Sequence, residues 1–212
     1  MDKIILFDLD GTLIDSTEAI LESFAVAFKT FGQAVPEDKQ IEAEIGHPLD
    51  LMFPTLGVAQ EEVDAYVQAY KRHYREISCA KTVLLPQARE AVELASTFAI
   101  LGVVTTKTAK YSVELLEHMG LMDYFDVLIG REDVTNPKPD PEPIHKALLK
   151  LSTDTSNIWM VGDTCMDMLA ANAAKVGAVG ITCGYSSPEK LLKCTDNLYH
   201  NALSAVQYIA KL

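Results

Sequence analysis

Lys3-Ile4-Ile5-Leu6-Phe7-Asp8-Leu9-Asp10-Gly11-Thr12 is an apolar run of strand length that ends in two carboxylates and a glycine turn. The run reads as a buried strand. An aspartate just past a strand is commonly a turn or helix-capping residue. Two of them at i and i+2, with Gly11-Thr12 behind, fit that role less well. Burying or crowding two like charges is unfavourable unless a metal or another cation neutralises them. The pair therefore asks for a partner elsewhere in the chain.

Further runs of the same kind follow at Ala99–Val104, Val127–Ile129, Ile158–Val161 and Ala178–Ile181. Amphipathic stretches of helix length stand after most of them, roughly Ala109–Met119, Pro141–Lys150, Met166–Lys175 and Pro188–Lys193. Strands alternating with helices predict an α/β fold with a parallel sheet. Thr108 and Asp140 suit N-cap positions, and Pro141 suits the first helical position. From Ser16 to about Lys81 the alternation fails and the pattern is helical throughout. Ile20, Phe24, Ala27, Phe28 and Phe31 form one helical stripe; Val63, Tyr66, Tyr70, Tyr74 and Ile77 form another. A tyrosine row could be a stacking surface, but helix packing explains it more simply. Pro36, Gly46-His47-Pro48 and Gly57 cut the region into short helices. Two parallel strands need only one crossover element, so a stretch this long implies an inserted helical module. The expected division is an α/β core of residues 1–14 and 83–212 and an inserted helical module of residues 15–82. No internal repeat or low-complexity segment is present.

The 212 residues suffice for a full core, and the apolar fraction of 49% is ordinary for a globular protein. A formal charge of −12, with no Lys/Arg block, argues against nucleic acid and anionic membrane as partners. The start at Met1-Asp2-Lys3 shows no signal-peptide cleavage pattern, and no run reaches eighteen apolar residues. Cys79, Cys165, Cys183 and Cys194 are widely spaced with no C-x-x-C pair. They read as free thiols in a reducing cytoplasm rather than as zinc ligands or disulfides. His47, His73, His118, His145 and His200 are scattered without metal-ligand spacing and read as surface or packing residues.

Chemistry concentrates in four segments, each at a strand end or helix start, the edge where ligands bind in open α/β sheets. Asp8 and Asp10 are the first. Thr105 ends the second apolar run and by itself is only a candidate cap. Lys138 lies in Asn136-Pro137-Lys138-Pro139-Asp140-Pro141, where flanking prolines hold an extended, stiff backbone and restrict the reach of the ammonium; most loop lysines are merely solvated. Val161-Gly162-Asp163-Thr164-Cys165-Met166-Asp167 puts Asp163 at a strand end and Asp167 in the next helical turn. Both acids would also favour a helix N-terminus, whereas Gly162 argues for close approach by a ligand or neighbouring backbone.

Taken together and in this order, the four segments closely resemble the haloacid dehalogenase superfamily, whose members are mostly Mg²⁺-dependent phosphatases. The matching motifs are Asp8–Thr12, Val103–Thr105, Lys138 within Lys-Pro-Asp-Pro, and Gly162–Asp167. The resemblance covers essentially the whole chain. It implies a Rossmann-like parallel sheet sandwiched by helices, with the Ser16–Lys81 region as the small α-helical cap. Gly130-Arg131-Glu132-Asp133 ahead of Lys138 resembles the phosphoglycolate-phosphatase-like branch most.

The resemblance also implies roles. Asp8 is the nucleophile that becomes an aspartyl-phosphate, and Asp10 is the acid and base. Asp8, the Asp10 backbone carbonyl and Asp163 hold Mg²⁺, with Asp167 in support behind them. The Thr105 hydroxyl, Lys138 and backbone N–H groups near Leu9, Asp10 and Thr106 hold the phosphoryl oxygens. Charge compensation is the main lever available to phosphoryl transfer, which fits a cation-rich site of this kind. The expected partner is a small phosphorylated molecule, and the protein a monomer or weak homodimer.

Asp10 argues against dehalogenase chemistry, which needs no second acid. β-Phosphoglucomutases carry a histidine five residues beyond the position of Asp15, where this chain has Ile20. Receiver domains are shorter and lack a cap, and the P-loop pattern is absent. Ile45-Gly46-His47-Pro48-Leu49 resembles the related inorganic pyrophosphatases as much as phosphoglycolate phosphatases, and a 5′-nucleotidase is a further alternative. A binding protein without turnover is the reading from a different class. Ser16, Glu18, His47, Lys71, Arg72 and Arg75 are the candidate specificity residues of the cap. Hinges are expected near Ile14-Asp15 and Thr82-Val83.

Overall fold

A computed structural model describes residues 3–152 and 155–212, so Met1-Asp2 lies outside the described residues. The chain divides into two compact units, one made of residues up to Asp15 together with Leu84–Leu212, the other of Ser16–Val83.

The first unit is built on a six-stranded sheet of β1 (Lys3–Phe7), β4 (Ala99–Val104), β5 (Val127–Ile129), β6 (Ile158–Gly162), β7 (Gly177–Ile181) and β8 (Leu198–Tyr199); β2 (Ile14–Asp15) and β3 (Val83–Leu84) form a separate two-stranded pair. The strand order is β5-β4-β1-β6-β7-β8, and every pairing in the large sheet is parallel. The opening apolar run occupies the centre, which explains why it does not alternate. Ile4, Ile5, Leu6 and Phe7 are all fully buried, with helices covering both faces of the sheet. Five of these strands fall where the apolar runs predict. The edge strand β8 and the pair β2 and β3 are too short to leave a periodic signal.

Register decides what the strands deliver. Phe7 lies opposite Val103 on one side and Val161 on the other, so β1, β4 and β6 end level. The residues just beyond those ends are Asp8, Thr105 and Asp163. Chain order reverses at β1, making this edge the topological switch point where a crevice opens in such sheets.

Helices α5 (Ala88–Ser96), α6 (Ala109–His118), α7 (Glu142–Leu151), α8 (Cys165–Ala174), α9 (Pro188–Leu191) and α10 (Ala202–Ile209) flank the sheet. Four of them match the expected helices to within one or two residues at each end. Pro141 is the N-cap of α7 rather than its first helical residue, and Asp140 Oδ1 accepts the Glu142 N–H at 2.8 Å. The other two, α5 and α10, are additions to the sequence reading. Helix α5 buries a stripe of Ala88, Ala91, Val92 and Ala95, residues too small to stand out as an apolar face. Asn201 caps α10 by accepting the Ser204 N–H and ties it to the start of α5 by donating to Gln87.

Two of the four cysteines expected to be free thiols are not free. Cys165 and Cys194 form a disulfide, while Cys79 and Cys183 are free. The two lie 29 residues apart in sequence, a separation that signals nothing by itself. They meet because β7 runs parallel beside β6, so α9 returns the chain to the first turn of α8.

The second unit contains α1 (Thr17–Thr30), α2 (Asp38–Glu42), α3 (Leu49–Thr55) and α4 (Val63–Lys81). The two predicted stripes face each other, and α1 packs along α4. Phe24 meets Tyr70 and Phe28 meets Tyr66 edge-on, with Phe53 of α3 against all four rings. The tyrosine row is therefore a packed core. Phe31 is half-exposed and stacks on Tyr66. Of the cap candidates, Ser16 is buried, Glu18 pairs with Lys81, Lys71 is partly buried, and His47, Arg72 and Arg75 are exposed. His73 and Lys81 both engage Glu22.

Candidate active site

Asp8 is placed by the last sheet bond of β1, its N–H donating to the Val161 carbonyl at 2.9 Å. Leu9 then turns the chain. Its buried carbonyl accepts the N–H groups of Thr12, Leu13 and Ile14, and Gly11 sits at φ +77°, a conformation that favours glycine. A Cβ on Gly11 would lie 2.4 Å from Asp163 Oδ2, so the turn also needs glycine to let Asp163 in.

Lys138 joins the strand ends. Its Nζ lies 2.8 Å from Asp8 Oδ1, 2.5 Å from Asp167 Oδ1 and 2.9 Å from the Val104 carbonyl. Three donors meet three acceptors, in a setting where Lys138 is only 4% exposed. Burial acts against its charge as the largest single influence, but Asp167 and Asp8 outweigh it and raise the pKa above the ordinary lysine value. The two carboxylates thus favour the charged ammonium. The backbone carrying it is anchored by Glu142, whose carboxylate accepts the Thr135 and Asn136 N–H groups at 3.0 and 2.8 Å.

Asp163 is fully buried and held at both oxygens. Thr12 donates its hydroxyl to Oδ1 at 3.2 Å, and the Tyr185 N–H donates to Oδ2 at 2.7 Å. Asp167 is also fully buried; its Oδ1 faces Lys138 and its Oδ2 accepts the Thr164 N–H and hydroxyl. It therefore caps α8 as well as pairing Lys138. Gly162 makes this possible, since a Cβ there would fall 2.4 Å from Asp167 Cγ.

Ligand oxygens of Asp8, Asp163 and Asp167 lie within 4.8 Å of one another, a grouping that could hold a metal ion. The donors are hard oxygens of the kind Mg²⁺ and Ca²⁺ take. Electrostatics fits a divalent cation as well. Three buried carboxylates face one ammonium, an imbalance that favours the protonated forms of Asp8 and Asp163. Asp8 is pushed up to about 7, chiefly by burial, with Lys138 opposing and Asp167 adding to the rise. Asp163 is raised well above the usual carboxylate range by burial and then by Asp8 and Asp167, against the Tyr185 N–H and Lys138. Of the two aspartates held at both oxygens, Asp167 gives one of them to the Lys138 ammonium whereas Asp163 accepts from neutral donors, which suits Asp167 to a supporting role.

The strand-end acids diverge at Asp10. Its carboxylate faces Lys107, with Nζ 3.1 Å from Oδ2. Thr105 is buried, donates its N–H to the Ile129 carbonyl, and accepts the Lys107 N–H on Oγ1 at 3.1 Å; Thr106 beside it is partly buried. Thr12 and Thr164 stand in the quoted motifs but carry no role of their own in the sequence, and nothing there singles out Lys107 or the Tyr185 N–H. Lys107 follows Thr105 by two residues, but only the folded loop aims it at Asp10.

The family model described as "Haloacid dehalogenase-like hydrolase" matches residues 5–181. The phosphoglycolate phosphatase of Yersinia pseudotuberculosis is 32% identical, over 88% of this chain and 84% of that one. A Clostridium perfringens protein named as a candidate pyrophosphatase is 31% identical, over 94% of this chain and 92% of its own length. A solved structure of a haloacid dehalogenase-like hydrolase from Streptococcus pneumoniae is 29% identical, with a TM-score of 0.86 and 97% of each chain covered. Match length, motif order and the convergence of Asp8, Lys138, Asp163 and Asp167 at one sheet edge agree, and the chain belongs to the haloacid dehalogenase-like hydrolase family.

Proposed function

We propose that the protein is a Mg²⁺-dependent phosphatase of small phosphomonoesters that works through an aspartyl-phosphate on Asp8. The observation carrying this is the buried Asp8, paired with Lys138 and grouped with Asp163 and Asp167 at the switch point of the sheet. Asp8, the Asp10 main-chain carbonyl and Asp163 are the proposed ligands of Mg²⁺, which when bound supplies the positive charge that draws phosphoryl oxygens towards an anionic nucleophile.

Asp8 attacks phosphorus through one carboxylate oxygen, and the bond to the leaving oxygen breaks. Asp10 gives that oxygen a proton. In the second half Asp10 takes a proton from water as the water attacks phosphorus and the electron pair returns to Asp8. Splitting hydrolysis in two lets one acid serve both halves, because it ends as it began. Lys138 opposes the burial that raises Asp8, favouring its ionised form together with the bound cation, and screens the approach of the dianion. The Thr105 hydroxyl and the N–H groups near Leu9, Asp10 and Thr106 hold the phosphoryl oxygens, and Asp167 holds Lys138. Residues 15–82 act as the cap that selects substrate.

Phosphoglycolate-like substrates are the first choice, supported by the relative of that name. Inorganic pyrophosphate is the second reading, favoured by the other relative's name and by the Ile45–Leu49 segment. A cytoplasmic location and a monomeric or weakly dimeric state complete the proposal. Among the described residues no helix is long and apolar enough to cross a membrane. The test is phosphate release from phosphoglycolate, pyrophosphate, sugar phosphates and nucleoside monophosphates, with and without Mg²⁺. Wild type should turn over at least one of them only with metal, and Asp8→Asn should not. Silence across the panel, or an active Asp8→Asn variant, would sink the proposal.

A further inference from the structure

Lys107 is paired with the second strand-end acid, and its backbone is held on both sides. Its Nζ lies 3.1 Å from Asp10 Oδ2, with the two side chains only 10% and 12% exposed. Its N–H is bonded to the Thr105 hydroxyl oxygen at 3.1 Å, and its carbonyl accepts the Arg131 N–H at 3.0 Å. The Arg131 turn is itself held, because the Gly130 N–H donates to Asp133 Oδ2 at 2.8 Å. Gly130 also packs against α6 so tightly that a Cβ would lie 2.4 Å from the Ala109 nitrogen. The lysine therefore reaches Asp10 from a braced loop rather than from a free surface segment.

We propose that Lys107 is a positioning residue for Asp10, holding the plane of its carboxylate so that its proton meets the leaving oxygen. This rests on reading Asp10 as the acid of phosphoryl transfer. As the bond from phosphorus to the leaving oxygen breaks, its electron pair goes to that oxygen, which takes the Asp10 proton. Asp10 is left as a carboxylate opposite the Lys107 ammonium. In the second half that carboxylate removes a proton from water while the bond from phosphorus to Asp8 breaks towards Asp8. Proton transfer needs a heavy-atom approach of about 2.6–3.2 Å. A carboxylate that has lost the Lys107 contact spends less of its time in that approach.

The experiment compares phenyl phosphate with p-nitrophenyl phosphate, using kcat/KM, which reports steps through release of the phenol. Both leaving groups are uncharged outside the reacting oxygen, so direct binding of a substrate anion by Lys107 plays no part. Phenoxide needs a proton to leave, and p-nitrophenoxide needs one far less. Lys107→Met should lower kcat/KM on phenyl phosphate by roughly tenfold to a hundredfold, and on p-nitrophenyl phosphate by less than about threefold. Lys107→Arg should recover most of the phenyl phosphate activity. Adding Lys107→Met to Asp10→Ala should cause little further loss. Equal losses on the two substrates, no loss on either, or a full additional loss in the double variant would overturn the role. Wild-type protein inactive on both substrates would instead overturn the phosphatase reading and remove this one with it.

Discussion

Gly184 lies against the Asp163 carboxylate so closely that a Cβ on it would come within 2.2 Å of Oδ2 and 2.4 Å of the Gly11 carbonyl oxygen. The contact joins the loop after β7 to the turn after β1 through a single buried acid. Tyr185, next in sequence, donates its N–H to the same Oδ2. Gly184→Ala must therefore push Asp163, Gly11 or its own loop aside. Overpacking of this kind costs about 1–3 kcal/mol, and here the strain falls on a proposed metal ligand. The variant should melt lower than wild type and need at least about tenfold more Mg²⁺ for half-maximal activity, a change equivalent to about 1.4 kcal/mol. An unchanged Mg²⁺ requirement would mean that Asp163 is not a ligand or that its loop yields without consequence.

Protons held by the acid cluster give the metal-free protein an unusual pH response. Folded Asp8 keeps its proton up to about pH 7, whereas an unfolded aspartate releases it near 3.8. The stabilisation from this group is complete below about pH 4 and is lost as pH rises through 7, and Asp163 acts with the same sign. Melting temperatures in EDTA should fall more steeply from pH 5 to pH 8 for wild type than for Asp8→Asn. Mg²⁺ should raise the wild-type value most at the alkaline end, by binding the folded form alone. Parallel curves for the two proteins would count against the shift.

Glu142 carries the opposite sign. Its carboxylate is lowered to about 2, first by Lys146 and then by the Thr135 and Asn136 N–H groups, from an ordinary value of 4.5. Its contribution is present above about pH 4.5 and is lost as pH falls towards 2. Glu142→Gln should lower the urea midpoint at pH 7 and differ little from wild type at pH 2. Faster hydrogen exchange at Thr135 and Asn136 in the variant is the local readout, because those amides lose their acceptor.

The crosslink between Cys165 and Cys194 has its own control. Disulfides typically add about 2–4 kcal/mol by restricting the unfolded chain. Cys194→Ser should lose stability of that order in oxidising buffer, measured by urea unfolding. In dithiothreitol the gap between variant and wild type should largely close. An intact wild-type mass showing four free thiols under oxidising conditions would remove the crosslink from consideration.

Legibility varied with how local each signal was. The central strands could be read because Ile4–Phe7 and Ala99–Val104 are buried apolar runs, a pattern that needs no knowledge of partners. The meeting of Asp8, Asp163 and Asp167 was foreseeable to the extent that each closes a strand or opens a helix on one sheet edge. Lys138 was marked by its prolines. The pairing of Lys107 with Asp10 was hidden, since it depends on a loop conformation set by Thr105 and Arg131. The disulfide depended on strand order rather than spacing. Helix α5 hid behind alanines, which bury well but contribute little contrast between faces.

The central position of β1 also governs how the polypeptide can assemble. Lys3 pairs with Ala99 and Ile4 with Ile158, so the first strand made finds both neighbours only after the whole Ser16–Val83 unit has been synthesised. Contacts of such long sequence separation form slowly. During synthesis the helical unit can fold while β1 still exposes both hydrogen-bonding edges and four core side chains. The chain therefore passes through a stage when its most apolar segment is unprotected, the kind of interval in which chaperones act and aggregation begins.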